Sequence, residues 1–445
     1  MAYEASLIKA IEQLGYRVTP GDLATATGLS LQTTQTQMLA LASEVQAHLQ
    51  VSETGELAYL FPKNIQGILL GKSWRRRWRA IAQRGWQILF YLIRISFGIL
   101  LILSLLLIAL AIVALVIAAS SSSRRDDDRD GGGFGGGMVL LPRIGFGPDI
   151  FWLFDFNYDR RQGSVPSPNH QDLNFLEAVF SFLFGDGNPN QDLEDRRWQA
   201  IGSVVQAQGG VVVAEQIVPF LDHQSQGWDR DFEDFMIPVL SRFDGFPQVS
   251  PQGGLVYHFP ELQVTAAART PLSPPRFLKE LPRQFSRASS GQIMMAIGLG
   301  SVNLIGALVL GNLLQDQSLV AEIGGVVALA NSIYWLLLSY GVTFLSLPLG
   351  RYFWVQRQNH QIGVRNQQRE QRARALDQVD HTLQEKLTFA QTLVAQTIVT
   401  TEDLAYTTET DLIDQEAANK EKLDQEWEKR LTSRSPDHSN FSDPV

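Results

Sequence analysis

Three long apolar runs constrain this chain more than any other feature. The first, Ile95–Ala119 (ISFGILLILSLLLIALAIVALVIAA), carries no charge in 25 residues. A helix crosses the hydrocarbon layer with about 20 such residues. The second run is Ile293–Leu314 (IMMAIGLGSVNLIGALVLGNLL), and the third extends from Ile323 to Gly350, broken near its end by Pro348. The spacing predicts an integral membrane protein with about three transmembrane segments. Run one lies too far from Met1 to read as a cleaved signal. A short polar link joins runs two and three, so they are expected to form a hairpin over 291–350. Gly298, Ser301 and Gly306 on one helix, and Gly324 and Ala328 on the other, would permit close approach.

Asn303, Glu322 and Asn331 lie in or beside these runs. An intramembrane polar group is a candidate functional site. The simpler reading gives the asparagines a hydrogen bond between hairpin helices and leaves Glu322 at the membrane surface. A transporter ordinarily needs more spans and more internal symmetry. Basic residues precede run one (Lys72, Arg75, Arg76, Arg77, Arg79, Arg84), precede run two (Arg269, Arg276, Lys279, Arg283, Arg287) and follow run three (Arg351, Arg357, Arg365, Arg369, Arg372, Arg374). The positive-inside rule wants all three clusters cytoplasmic, which one plain crossing by run one cannot satisfy. Either run one doubles back or the middle of the chain sits on the far side. The expectation is that all soluble parts are cytoplasmic.

The 445 residues suggest about three structural units. Lys and Arg number 37 and Asp and Glu 46, a formal charge of −9, which argues against a general nucleic-acid binder. The chain has no cysteine, which excludes disulfides, iron–sulfur clusters, thiol nucleophiles and cysteine zinc sites.

Residues 1–64 read as three helices followed by a two-stranded hairpin. Leu7, Ile8, Ile11 and Leu14 have helical spacing, Thr19-Pro20-Gly21-Asp22 starts a second helix, and Ser30 caps a third. Gln50–Phe61 alternates around a glycine turn. The order recurs over 193–264. Val45–Pro62 and Phe243–Pro260 align without gaps at eight identities in 18 positions: Gln50/Gln248, Val51/Val249, Ser52/Ser250, Gly55/Gly253, Leu57/Leu255, Tyr59/Tyr257, Phe61/Phe259 and Pro62/Pro260. Such a repeat implies two copies of one fold, here winged-helix-like. Winged helices often read DNA, but no Lys or Arg lies between Arg17 and Lys63. In the second copy, Arg230 and Arg242 face Glu215, Asp222, Asp229, Asp231, Glu233, Asp234 and Asp244. Phosphate contacts drive DNA affinity, so no nucleic-acid partner is expected and protein docking is.

Between the copies, a basic foot and first membrane segment cover 72–119. A flexible linker, 120–137 (SSSSRRDDDRDGGGFGGG in its core), follows. An aromatic-rich segment spans 138–192. In it Phe151, Trp152 and Phe154, and further on Phe180, Phe182 and Phe184, are dense enough to suggest a partner-binding or membrane-surface face, unless they pack as core. Asp186, Asn188, Asn190 and Asp192 alternate like the start of a calcium loop, but Gln191 and Arg197 break the pattern, and a capping turn is expected. Residues 351–431 read as a helical arm. Leu376, Val379, Leu383, Leu387, Ala390, Val394 and Ile398 form an apolar stripe suited to a coiled coil or to packing on a neighbour. A second helix covers Asp411–Leu431, and 432–445 reads as a disordered tail. The fold class is therefore mainly α with small β-hairpins.

The seven histidines give no metal spacing, and no nucleophile elbow, zincin, Walker or dinucleotide motif is present. No enzyme activity and no cofactor are expected. The stretches FLEAVFSFLFGDGNPN, GGVVVAEQIVPFL and LAYTTETDL resemble a membrane protein family shared by cyanobacteria and the plastids of plants and algae. The resemblance covers most of the chain from Phe175 onward and the first helical module. It implies a thylakoid or related membrane and a role in building or maintaining photosynthetic complexes, and it carries no chemistry over to particular residues. The expected function is a membrane-anchored scaffold or assembly factor that docks protein partners. The alternatives are a membrane-tethered transcription regulator and a small-molecule or ion carrier.

Overall fold

In the computed structural model, which describes residues 2–72, 74–122, 174–222, 233–267, 274–378, 380–400 and 404–433, the chain is mainly helical with small sheets. An N-terminal polar stretch holds α1 (Ala2–Gln13), β1 (Arg17–Val18), α2 (Pro20–Thr27), α3 (Leu31–Val45), β2 (His48–Ser52), β3 (Leu57–Leu60) and α4 (Ile65–Lys72). The first apolar stretch holds α5 (Trp74–Ser122) and α6 (Phe175–Phe184). A second polar stretch contains α7 (Leu193–Ala207), β4 (Val211–Val212), α8 (Ala214–Ile217), α9 (Ile237–Phe243), β5 (Phe246–Val249), β6 (Leu255–His258), α10 (Pro260–Gln263) and β7 (Val264–Thr265). The second apolar stretch holds α11 (Ser290–Leu313), α12 (Gln317–Ile323), α13 (Gly325–Ser332) and most of α14 (Tyr334–Ala375). The chain closes with α15 (His381–Leu393), β8 (Thr397–Ile398), β9 (Leu404–Thr407) and α16 (Leu412–Ser433).

These stretches sort into two compact units. The polar unit takes Met1–Arg77, Asn190–Glu280 and Val364–Val445, and the apolar unit takes Trp78–Pro189 and Leu281–Gly363. The expected linker from 123 to 137, the aromatic segment up to 173 with Phe151, Trp152 and Phe154, and the tail from 434 lie outside the described residues.

In the polar unit the same local pattern forms twice. Antiparallel β2 and β3 pair Gln50 with Ala58 and Val51 with Leu57. Antiparallel β5 and β6 pair Gln248 with Val256 and Val249 with Leu255. The register is the one the sequence identities demand. Both turns are closed alike: Ser52 N donates to Glu56 O at 2.9 Å, and Ser250 N donates to Gly254 O at 2.8 Å. The serine hydroxyls accept from the Glu56 and Gly254 amides at 3.0 and 2.9 Å. Gly55 and Gly253 both take φ +86, a left-handed conformation that only glycine adopts without strain. A short strand before the second helix adds to each hairpin, β1 to β3 and β4 to β6. Ser30 caps α3 as expected, its hydroxyl accepting from Thr33 N, and Thr19 with Asp22 forms a capping box on α2.

The copies pack through α2 and α7. A Cβ on Gly202 of α7 would lie 3.1 Å from Thr25 Cα, so the missing side chain sets the approach. Asp22, 4% exposed, accepts from Gln206 Nε2 at 3.1 Å and Ala266 N at 2.9 Å. Arg17 donates to the carbonyls of Ala266 at 2.8 Å and Val399 at 2.7 Å, which brings in the C-terminal stretch. That stretch also adds β9 to the edge of β2 and β8, parallel, to β7. Leu383, Leu387 and Ala390 of α15 pack on Val211, Val213 and Val256.

The apolar stripe expected to run unbroken from Leu376 to Ile398 is interrupted. Asp380, whose side chain accepts from His381 N, starts a new helix, α15 ends at Leu393, and Ile398 pairs in β8. Val379 lies outside the described residues.

In the apolar unit, Gly85–Ser120 and Ser290–Leu313 are long and apolar enough to cross a membrane, and α13 with α14 makes a third such stretch if the bent pair counts as one. Run one does not double back, because α5 is one uninterrupted helix. The third run breaks at Ile333, where the helices bend by 62°, and Pro348 sits inside α14. Proline persists within apolar helices when neighbours satisfy the freed carbonyl. Leu101 packs with Ala296 and Phe344, whereas Leu115 packs with Leu314 and Leu337. Helices α5 and α11 therefore run parallel, and α14 runs antiparallel to both. The expected small-residue seam is also different. Gly298 and Gly324 face open space, while Gly306 approaches Ile108 of α5, and a Cβ on Gly341 would lie 3.2 Å from Leu304 Cα. Ala328 and Ser301 do not enter a helix seam: Ala328 is exposed, and the Ser301 hydroxyl bonds back to Ile297 O.

One buried ion network ties the second and third polar stretches. Arg369, 2% exposed, pairs with Asp222 and with Glu280 at 2.9 Å and donates to Leu278 O at 3.1 Å. Arg365 grips Glu280 in a bidentate pair at 2.6 and 2.8 Å. Burial pushes the Glu280 carboxyl up, but Arg365 and Arg369 outweigh it and hold the group below the usual carboxylate range. Removing one partner from such a site strands a buried charge, at about 3–5 kcal/mol. Arg369→Met is therefore expected to lower the melting temperature of the full chain by about 10 °C. Adding Glu280→Gln should recover part of that loss, as read by thermal denaturation of the two variants.

Candidate functional site

The surfaces of the first helical module are set by α3. Leu31, Thr34, Met38, Leu41, Ala42 and Val45 point inward at helical spacing. The opposite face presents Gln32, Thr33, Thr36 and Leu39, the last 56% exposed. It carries no cation, because none exists between Arg17 and Lys63. In the second copy, Arg242 of α9 is turned inward. It donates to Gly28 O at 2.8 Å and lies 4.3 Å over the Trp198 ring.

Besides the Arg369 network, two further clusters of titratable groups sit in the polar unit. Lys386 of α15 bonds Glu215 at 3.0 Å and Glu233 at 2.9 Å, and the Tyr257 hydroxyl donates to Glu233 at 2.6 Å. Burial pushes the Lys386 ammonium down, and the two carboxylates more than reverse this and raise it. Burial and the adjacent Glu233 raise the Tyr257 phenol. This ion cluster braces α15 against the segments that carry Glu215 and Glu233. The second cluster is repulsive: burial, then Glu56 and Asp244, raise the Glu261 carboxyl. Among the described residues no three His, Asp or Glu side chains converge as a metal site. The calcium-like residues are used otherwise. Asn190 and Asp192 accept from Arg196, and Asp192 stands at the start of α7.

In the apolar unit, α6 inserts its aromatic face among the long helices. Phe182 is 4% exposed and meets Phe285 and Phe344 with ring centroids 6.1 and 6.0 Å apart. Phe180 meets Phe90 and Phe97 at 6.1 and 5.8 Å. Phe184 meets Phe97 and Phe180 at 4.9 and 5.0 Å, so all three rings are engaged within their own unit, although Phe184 stays 44% exposed. Asn303 is buried and donates to the Ser104 hydroxyl of α5, so its partner is not the hairpin helix expected, and its Oδ1 has no partner. Glu322 and Asn331 are exposed on α12 and α13 and do not join Asn303.

The sequence reading missed a cluster beside α6. Asp186 accepts from Arg94 at 2.9 Å, Ser181 at 2.5 Å and Arg287 N at 2.8 Å. Arg351 donates to the carbonyls of Ser181 at 3.3 Å, Phe182 at 3.1 Å and Phe285. Arg94 and Arg351 lie at the ends of the apolar runs, and that position was the signal available for finding them.

Glu261 offers a pH test. A folded-state carboxyl raised above its unfolded value binds its proton more readily when folded. Its stability contribution is then present at low pH and is lost as pH rises through the raised value. Glu261→Gln is expected to raise the melting temperature near neutral pH by on the order of 1–3 °C, and the gain should vanish near pH 4. A thermal-melt series across pH checks this.

Comparison with known proteins finds a relative in Arabidopsis thaliana named Uncharacterized protein At5g03900, chloroplastic. It is 36% identical over 434 residues, which covers 95% of this chain and 81% of the relative. No family model and no solved structure matches the chain. Identity at this level over nearly the whole length means that the chain belongs to the family of this chloroplastic Arabidopsis protein.

Proposed function

We propose that the protein is a non-enzymatic, membrane-anchored scaffold whose polar unit docks polypeptide partners during the biogenesis or maintenance of photosynthetic membrane complexes. Both copies are read as winged-helix modules, and the membrane as a plastid-type or cyanobacterial thylakoid membrane. The chloroplastic relative and the apolar helices support the location. The carrying observation for docking is the outer face of α3. A DNA reader would lay this helix in a groove, yet it offers Gln32, Thr33, Thr36 and Leu39 with no cation. Each phosphate contact would need one. A protein partner needs instead an uncharged, partly apolar surface of this kind. The pairing of β9 with the edge of β2 adds a second argument, since a hairpin that accepts a strand of its own chain displays the physics of strand addition.

We read the membrane topology from connectivity: three polar stretches form one compact unit, and such a unit would occupy one side of a bilayer. Asp186 beside Arg94 supports the same conclusion for the first apolar stretch, whose two ends meet at one end of the unit. The three polar stretches of this unit are therefore assigned to one face, and the α11–α12 turn and the end of α5 to the other. The cationic end at Arg94, Arg287 and Arg351 favours the cytoplasmic or stromal face.

Affinity capture of the full chain from solubilised photosynthetic membranes tests the docking claim. The same protein set should be recovered repeatedly with the native chain and be depleted at least several-fold with Leu39→Asp, while duplex DNA shows no mobility shift at physiological salt. A DNA shift, or capture indifferent to Leu39→Asp, would contradict it.

A further inference from the structure

We propose that the end of the apolar unit where α5 and α11 begin and α14 leaves is a binding surface for anionic lipid headgroups. The inference rests on the reading that these helices span a bilayer. The two ends of the unit are charged oppositely. Among the described side chains, Arg94, Arg283, Arg287, Arg351 and Arg357 stand at this end against Glu177 and Asp186, whereas the other end holds Asp316 and Glu322 and no cation.

Arg283 and Arg287 have no carboxylate partner for their guanidinium groups among the described residues. The segment that carries them is held by its backbone. Arg283 N donates to Asn359 Oδ1 at 2.7 Å, and Asn359 Nδ2 donates to Arg283 O at 2.9 Å. Arg287 N donates to Ser181 Oγ at 3.1 Å and Asp186 Oδ2 at 2.8 Å. Asp186 spends its charge on Arg94 at 2.9 Å. The Arg287 side chain is exposed and has no ion-pair partner among the described residues. The Arg283 guanidinium lies 5.1 Å over the Trp354 ring, with no carboxylate beside it. That stack orients the cation without neutralising it.

The depth of the surface is marked by aromatics. Trp86, Phe90 and Tyr91 on α5 and Tyr352, Phe353 and Trp354 on α14 are all exposed at this end, Trp86 at 67% and Phe353 at 62%. Rings of this kind settle at the headgroup level of a bilayer. Unneutralised arginines at that level face phosphates, and each cation near an anionic surface strengthens binding by roughly five-fold.

The test uses the full chain in nanodiscs of phosphatidylcholine with a minor fraction of phosphatidylglycerol, followed by gentle extraction and native mass spectrometry of the retained lipid. The native protein should retain phosphatidylglycerol in preference to phosphatidylcholine. Arg283→Gln with Arg287→Gln should reduce that preference on the order of ten-fold, with unchanged helix content because the backbone bonds remain. Arg287→Lys in place of Arg287→Gln should restore much of it, and Asp316→Asn at the opposite end should leave it unchanged. Loss of the preference in excess inorganic phosphate would show a free-anion site and overturn the lipid assignment. Equal retention of both lipids by an inserted native chain would overturn the proposal and leave the docking reading intact. Failure of the chain to insert would overturn the membrane reading and this proposal together.

Discussion

The polar unit depends on three distant stretches of chain meeting at Arg17 and Asp22. Asp22 takes the Ala266 amide and Gln206, and Arg17 takes the Ala266 and Val399 carbonyls. Two residues of the N-terminal module thus bind the second module and the C-terminal stretch. Both groups are largely withdrawn from water, and their partners must be in place for burial to be tolerated. Loop closure over such separations costs entropy that grows only slowly with length, so apolar inserts of this size between the stretches are tolerable. The buried Arg369 pair with Glu280 repeats the device at another joint. Ionic groups with fixed geometry allow few alternative arrangements, a role in specificity more than in net stability.

The apolar unit works by a different rule. Its long helices gain little from burial in one another when lipid surrounds them, and close backbone approach and polar pairs carry more of the association. Gly341 against Leu304, Gly306 against Ile108 and Asn303 on Ser104 are the local expressions of this. The cluster at Asp186, Arg94 and Arg351 closes one end of the unit and pins α6 there. In the polar unit, the outer face of α3 carries no cation. In the apolar unit, Arg94, Arg283, Arg287, Arg351 and Arg357 gather at one end, and the other end holds no cation among the described side chains.

Local patterns were legible in the sequence and non-local pairings were not. The hairpins at Gln50 and Gln248 could be read because alternation, a serine and a left-handed glycine recur at fixed offsets, each enforcing a backbone geometry. The caps at Thr19 and Ser30 could be read for the same reason. Strands β8 and β9 could not, because two- and four-residue strands paired across more than a hundred positions leave no periodic trace. The stripe from Leu376 to Ile398 misled because its spacing is helical while Asp380 offers a stronger local cap. The break at Ile333 was missed in favour of Pro348, since proline inside an apolar helix does not have to end it. Of the candidate site, Phe180, Phe182 and Phe184 all pack on other rings of the apolar unit, and composition alone cannot separate packing from partner binding. The cluster around Asp186 escaped because its members lie far apart in sequence and belong to no motif.

The measurement that bears most directly on the proposed architecture is side-specific labelling. The chain has no cysteine, so single substitutions give a clean background. Glu53→Cys at the first hairpin turn, Gln252→Cys at the second and Glu416→Cys on α16 sample the three polar stretches, and Gln315→Cys samples the turn after α11. In sealed, oriented vesicles treated with a membrane-impermeant maleimide, the first three should react from one common side and Gln315→Cys from the opposite side. Labelling of any of the three from the side that labels Gln315→Cys would contradict a single polar unit on one face of the membrane.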